Sequence, residues 1–130
     1  MSETETATQT EDSLLGGRVR IAQPPDGYRA AIDPVLLAAA TAAEPGERVL
    51  DVGAGTGAAS LCLATRVPGC RVVGLELHAE VAAYASHNIE LNGLPGRTWV
   101  VVGDRAKIEA GVRELNLGEV MFLDADGKPI

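Results

Sequence analysis

The fold of this 130-residue chain is decided by the stretch Arg48-Val-Leu-Asp-Val-Gly-Ala-Gly-Thr-Gly57. A short apolar strand leads into three glycines at alternate positions, and an alanine-rich helical run follows them directly. Glycine suits such a turn because it adopts backbone angles that a Cβ atom forbids and lets a ligand approach the main chain closely. The pattern predicts the strand, tight turn and helix N-terminus of a nucleotide-binding βαβ unit.

Three acidic residues accompany the glycines, each on or just after one of three successive apolar strands: Asp51, Glu76 and Asp104. Asp51 argues against a dinucleotide, because a carboxylate beside pyrophosphate would cost roughly one to four kcal/mol at contact distance. S-adenosylmethionine carries an ammonium and a sulfonium, which would tolerate or use that acid. Glu76 lies at about the spacing where an acid meets ribose hydroxyls in such folds.

Together these motifs resemble the cofactor motifs of class I S-adenosylmethionine-dependent methyltransferases. The resemblance implies that the glycines receive the methionine part of the cofactor, Glu76 the ribose hydroxyls and Asp104 the adenine amino group. The implied cofactor-binding residues are Asp51, Gly53, Gly55, Gly57, Glu76 and Asp104. The alternative is an α/β domain with an ordinary glycine turn and acids that meet by chance.

A second resemblance lies in the segment Gln23-Pro-Pro-Asp-Gly-Tyr-Arg-Ala-Ala-Ile-Asp-Pro-Val-Leu-Leu-Ala-Ala-Ala40. It is similar to the segment that precedes the cofactor loop in bacterial tRNA(Val) adenine N6-methyltransferases, where it forms part of the wall over the cofactor and acceptor site. The resemblance implies methylation of an adenine amino group, with tRNA as the partner of this segment. Tyr28 could stack on a base and Arg29 could contact phosphate. Alternatively, Tyr28 covers the sheet edge and Arg29 pairs with an acid.

Periodicity and turn residues predict an α/β chain. In its first half we expect a strand or hairpin arm at Gly17–Ile21, a helix at Val35–Ala43 with Asp33 as N-cap, a strand through Val52 and a helix at Ala58–Val67. A strand follows at Arg71–Leu75. The next helix carries Val81, Tyr84, Ala85 and Ile89 on one face and ends at Asn92-Gly93. The remaining expected elements are a strand at Trp99–Val102, a helix at Ala106–Leu115 and a strand at Val120–Asp124. This order predicts a parallel sheet with right-handed crossovers.

The predicted fold class is therefore a Rossmann-like class I methyltransferase fold, truncated after the fourth strand of a mostly parallel sheet. In adenine N6-methyltransferases that strand ends in Asn or Asp, two prolines and an aromatic residue, whereas this chain has Asp124-Ala-Asp-Gly-Lys-Pro. Asp124 is thus a candidate acceptor-side residue, and the catalytic residues stay unassigned. A noncatalytic cofactor-binding fragment is an alternative function. An apolar edge strand at Val120–Leu123 would also favour self-association.

The stretch Met121-Phe-Leu-Asp-Ala-Asp-Gly127 is similar to the end of the fourth strand in metal-dependent O-methyltransferases. In those enzymes carboxylates hold a divalent cation that lowers the pKa of the acceptor hydroxyl. Asp124 and Asp126 could form part of such a site, or Asp126-Gly127 could simply make an acidic turn. We assign no metal ligands and expect cofactor binding to need no metal.

Composition divides the chain into a disordered acidic tail at residues 1–12, an N-terminal cap segment at 13–46 and a cofactor-binding half-domain at 47–130. The net charge of −7 argues against broad nucleic-acid binding. Arg18, Arg20 and Arg29 could still form a local basic edge. Alternatively, these three arginines are scattered charges in contact with solvent.

Cys62 and Cys70 lack metal-type spacing and are expected to be reduced thiols. No apolar run has membrane-spanning length and the start is acidic, which predicts a cytoplasmic protein without membrane contact.

Overall fold

The structure is a computed structural model that describes residues 10–26, 32–96, 98–102 and 105–114. A strand hairpin and one helix precede three strands that alternate with helices. The elements are β1 (Thr10–Leu14), β2 (Val19–Gln23), α1 (Asp33–Ala40), β3 (Arg48–Val52), α2 (Ala58–Arg66), β4 (Arg71–Glu76), α3 (Ala79–Leu91), β5 (Thr98–Val102) and α4 (Arg105–Glu114). Within these ranges, the predicted alternation of strands and helices is confirmed.

The three later strands form one parallel sheet in the order β3-β4-β5. Its register sets Val52 opposite Leu75 and Glu76 opposite Val102. Carboxyl ends of parallel strands meet at one edge of a sheet, and ligands of open α/β sheets bind outside that edge. The register therefore brings the glycine turn, defined here as Gly53–Gly57, close to the end of β4.

The core lies where α2 and α3 pack against the sheet and where β2 joins them. Its fully buried side chains include branched aliphatic residues from three elements and both cysteines: Val19, Ile21, Leu61, Cys62, Cys70 and Val72. Burial raises the pKa of the Cys62 thiol to about 11. Because β2 contributes two of these side chains, the N-terminal hairpin is an integral part of the described core.

The hairpin corrects the expected disorder of the acidic tail. Residues 10–12 belong to β1, which pairs antiparallel with β2, while residues 1–9 lie outside the described ranges. Glu11 accepts a hydrogen bond from Arg20 Nε at 2.7 Å and forms an ion pair with its Nη2. Asp12 accepts a hydrogen bond from Gln23 Nε2 at 2.9 Å. Cross-strand partners from β2 thus compensate for the low hydrophobicity that suggested disorder.

Helix α1 differs from its predicted ends. Ile32, rather than Asp33, is the N-cap, because its carbonyl already accepts the Leu36 N–H at 3.0 Å. The helix ends at Ala40 instead of Ala43, and the Thr41 hydroxyl donates back to the Leu37 carbonyl at 2.8 Å. The Leu37 carbonyl also accepts the Thr41 N–H at 3.1 Å, and Thr41 itself has an extended backbone with ψ 117°. The helix therefore ends three residues earlier than expected.

Several predicted features lie outside the described residues: Tyr28, Arg29, Asp104, the strand at Val120–Asp124 and Asp126. Within the described ranges, no helix is both long enough and apolar enough to cross a membrane.

Candidate cofactor-binding site

The glycine turn is fixed to the end of β4 by backbone hydrogen bonds. The N–H groups of Gly53 and Ala54 both donate to the Leu75 carbonyl, at 2.7 and 3.0 Å. Gly55 has φ +58° and Gly57, the N-cap of α2, has φ +89°, a region that side chains with a Cβ rarely adopt. The turn therefore requires glycine for conformation, as the sequence predicts, and it leads directly into α2.

Glu76 holds the glycine turn through its carboxylate. Oε1 accepts the Gly55 N–H at 3.0 Å, and Oε2 accepts the His78 N–H at 2.9 Å. The side chain is 7% exposed. A carboxylate has about four acceptor positions, so two positions remain beyond these two hydrogen bonds. The predicted ribose-binding acid is thus also a structural support of the turn, which sequence reasoning missed.

Asp51 lies half-buried on β3 and accepts a hydrogen bond from the Ser60 hydroxyl of α2 at 2.6 Å. Burial raises the pKa of Asp51, the Ser60 hydrogen bond opposes that rise, and the charge of Glu76 adds to it. A cation placed beside Asp51 would stabilise its charged form. The two neighbouring carboxylates therefore form an electrostatic environment that suits a cationic ligand better than a pyrophosphate.

Asn88 is a site residue that sequence reasoning missed. This fully buried side chain of α3 donates from Nδ2 to the Thr56 carbonyl in the glycine turn at 2.9 Å. It also hydrogen-bonds to both backbone groups of Ala22 on β2. The sequence does contain a signal for this residue. Asn88 lies three residues after Ala85 and next to Ile89, so it interrupts the predicted apolar face of α3 with a polar side chain that needs a buried partner.

A cavity of about 200 Å³ runs along β3, between α1 and α2. Its lining includes Leu37, Asp51, Val52 and Ser60, but neither the three glycines nor Glu76. The cavity therefore ends at Val52, the residue before the glycine turn, and Asp51 lines it. In the described sheet, β3 has a strand partner on its β4 side only.

The structure brings together five of the predicted cofactor-binding residues at the carboxyl ends of β3 and β4: Asp51, Gly53, Gly55, Gly57 and Glu76. Asp104 and the acceptor-side candidates Tyr28, Arg29 and Asp124 lie outside the described residues. Among residues that are described, no group of three or more His, Cys, Asp or Glu side chains could hold a metal ion.

The chain matches the protein family described as "Methyltransferase domain" over residues 49–117, more than half of its length. A solved structure of an S-adenosylmethionine-dependent methyltransferase from Thiobacillus denitrificans, in complex with S-adenosylhomocysteine, is 32% identical with a TM-score of 0.50. That match covers 56% of this chain and 29% of the other. The predicted Rossmann-like methyltransferase fold is confirmed.

Two curated relatives act on different acceptors. The protein-L-isoaspartate O-methyltransferase of Aeropyrum pernix is 52% identical over 65 residues, which cover 49% of this chain and 25% of the relative. The tRNA1(Val) (adenine(37)-N6)-methyltransferase of Bacteroides fragilis is 40% identical over 72 residues, which cover 55% of this chain and 30% of the relative. The matched segment thus spans only about a quarter to a third of the length of either relative.

Proposed function

This chain belongs to the methyltransferase domain family, and on that premise we propose that it binds S-adenosylmethionine for methyl transfer to an adenine amino group in tRNA. The cofactor is the one predicted from the sequence, and family membership together with the S-adenosylhomocysteine complex of the similar Thiobacillus denitrificans enzyme supports it. The choice of acceptor has separate support.

The observation that supports cofactor binding best is one hydrogen bond. The Glu76 carboxylate at the end of β4 accepts the N–H of Gly55 in the turn that follows β3. The acid has acceptor positions beyond this bond, and the turn has open space at the Cβ positions of Gly53 and Gly55. Asp51, on the neighbouring strand, supplies a second negative charge. A cofactor with a ribose and a cationic methionine part matches both carboxylates, with charge-assisted hydrogen bonds to the ribose hydroxyls.

The N-terminal segment and the Bacteroides fragilis relative support adenine in tRNA as the acceptor. Segment 23–40 resembles the segment of tRNA(Val) adenine N6-methyltransferases that forms part of the wall over the cofactor and acceptor site. It begins at the end of β2, whose Ala22 is hydrogen-bonded to Asn88. We propose that this segment contacts tRNA. The methyl carbon would pass in line from the sulfonium sulfur to the amino nitrogen, with the S–C bond breaking as the N–C bond forms and a proton leaving the nitrogen. Positioning and removal of water are the main contributions expected from the protein.

A second acceptor class is favoured by the Aeropyrum pernix relative, whose identity is higher over a shorter stretch. Its name indicates methylation of a carboxylate in isoaspartyl proteins. Because each match covers less than a third of the relative, the two relatives discriminate poorly between acceptors.

The test is a transfer assay with methyl-labelled S-adenosylmethionine and three samples: undermodified bacterial tRNA, an isoaspartyl peptide and no acceptor. Label in the N6 position of tRNA adenine supports the proposal, and label in the peptide would replace it with carboxylate methylation. Binding of S-adenosylhomocysteine without transfer to either acceptor would identify a noncatalytic binding module. Tighter binding of NAD than of S-adenosylhomocysteine would refute the cofactor assignment.

A further inference from the structure

Two asparagines of α3 bind the edge of β2 with their side-chain amides. Asn92 accepts the Arg20 N–H at 2.8 Å and donates to the Arg20 carbonyl at 2.7 Å. Asn88 accepts the Ala22 N–H at 2.8 Å and donates to the Ala22 carbonyl at 3.0 Å. Each amide thus makes the pair of hydrogen bonds that a neighbouring strand residue would make.

The spacing of the two asparagines fits the strand. Four residues along a helix rise about 6 Å, and two residues along a strand advance about 6.8 Å. Asn88 and Asn92 therefore stay in register with Ala22 and Arg20. This pairing attaches the N-terminal hairpin to α3 without a further strand.

The two asparagines differ in their remaining hydrogen bond. The second Nδ2 proton of Asn88 goes to the Thr56 carbonyl in the glycine turn at 2.9 Å, whereas Asn92 donates to the Asn88 carbonyl of its own helix at 2.7 Å. Asn88 is fully buried, so a lost partner would leave a buried polar group unsatisfied. Only Asn88 joins three segments: the hairpin, α3 and the glycine turn.

We propose that Asn88 is a positioning residue that couples β2 to the glycine turn, so that hairpin docking and cofactor affinity depend on each other. The Thr56 carbonyl belongs to the peptide that enters Gly57, the N-cap of α2, and its neighbour Gly55 donates to Glu76. The turn is therefore held at two successive residues, by Glu76 at Gly55 and by Asn88 at Thr56. The inference rests on the proposed binding of the cofactor.

A matched pair of variants tests the coupling. Asn88→Asp and Asn92→Asp make the same chemical change, at a fully buried and at a partly exposed position; both keep an acceptor for the strand N–H and lose the Nδ2 donor. Both disturb the attachment of β2, but only Asn88→Asp breaks a bond to the glycine turn. Calorimetry with S-adenosylhomocysteine on the folded chain should show at least a tenfold loss of affinity for Asn88→Asp and less than a twofold loss for Asn92→Asp.

Equal losses in the two variants, or none in either, would overturn the coupling. Should Asn88→Asp fail to fold, hydrogen exchange on the wild-type chain gives a second measurement. S-adenosylhomocysteine should slow exchange of the Ala22 amide at least fivefold more than that of the Arg20 amide, since only the first is bonded to Asn88. Equal slowing would refute the coupling alone. No binding of S-adenosylhomocysteine to the wild-type chain would refute both this inference and the proposed function.

Discussion

The Glu76 carboxylate accepts the Gly55 N–H at 3.0 Å across 21 residues of sequence, which joins the end of one strand to the turn that follows its neighbour. One acid therefore shapes the glycine turn, and we propose that its remaining acceptor positions bind ribose hydroxyls. Replacing it should disturb the turn even before a cofactor binds.

Replacing Glu76 with Ala should weaken S-adenosylhomocysteine binding by about 1–3 kcal/mol, the usual value of hydrogen bonds to a charged group. Calorimetry measures the change. Glu80→Ala is the matched control, since Glu80 is exposed in the first turn of α3 and should leave the affinity unchanged. Unaltered affinity in Glu76→Ala would exclude this acid from the cofactor site.

Asp51→Asn should stabilise the fold and weaken binding of S-adenosylmethionine. The pKa of Asp51 is raised in the folded state, so its contribution to stability is favourable at low pH and is lost as the pH rises through that folded pKa. At pH 7 the variant removes a negative charge that partial burial and the neighbouring Glu76 make unfavourable. Stabilising replacements commonly gain about 0.5–2 kcal/mol. The gain should shrink as the pH falls, and urea unfolding at several pH values measures it; a variant less stable than the wild type at pH 7 would contradict the argument.

Ser60→Ala removes the hydroxyl that hydrogen-bonds to Asp51, and the pKa of Asp51 should then rise further because that bond lowers it. As the pH decreases, S-adenosylmethionine affinity should begin to fall at a higher pH than in the wild type, because the carboxylate protonates sooner. The variant should also lose about 1 kcal/mol of stability. Ser86→Ala, at an exposed position on α3, is the control for removing a serine hydroxyl from a helix. Identical pH profiles for wild type and Ser60→Ala would disprove the role of this bond.

Gly57→Ala should cost about 1–2 kcal/mol of stability, because its φ of +89° is unfavourable for a residue with a Cβ. Gly46→Ala is a close control, with the same φ and open space around its Cβ position. Added at Gly57, the Cβ would lie 3.5 Å from that of Ala85, an ordinary contact, so both variants should be destabilised similarly. Only Gly57→Ala should reduce S-adenosylhomocysteine affinity. A loss of affinity in both would show that global stability, and not the turn, controls binding.

Much of the fold was predictable because its signals are local. Helix α2 and strand β4 end within one residue of their expected bounds, since Pro68-Gly69 stops the helix and glycines mark the preceding turn. Helix α1 was predicted less well. At its end, Arg66 of α2 donates to the Ala38 carbonyl at 3.1 Å and to the Thr41 carbonyl at 2.5 Å. Sequence periodicity does not register a cap supplied by a different helix.

The position of the glycine turn and of the acids near the strand ends could be read from the sequence, because turn conformation and side-chain period are properties of neighbouring residues. The hydrogen bonds of Asn88 to Ala22, 66 residues away, and the pairing of the polar residues of β1 with β2 became visible in the folded chain alone. A hydrogen bond needs its atoms within about 3.2 Å. Which distant segments come that close depends on how all the helices and strands pack, so no local pattern specifies it.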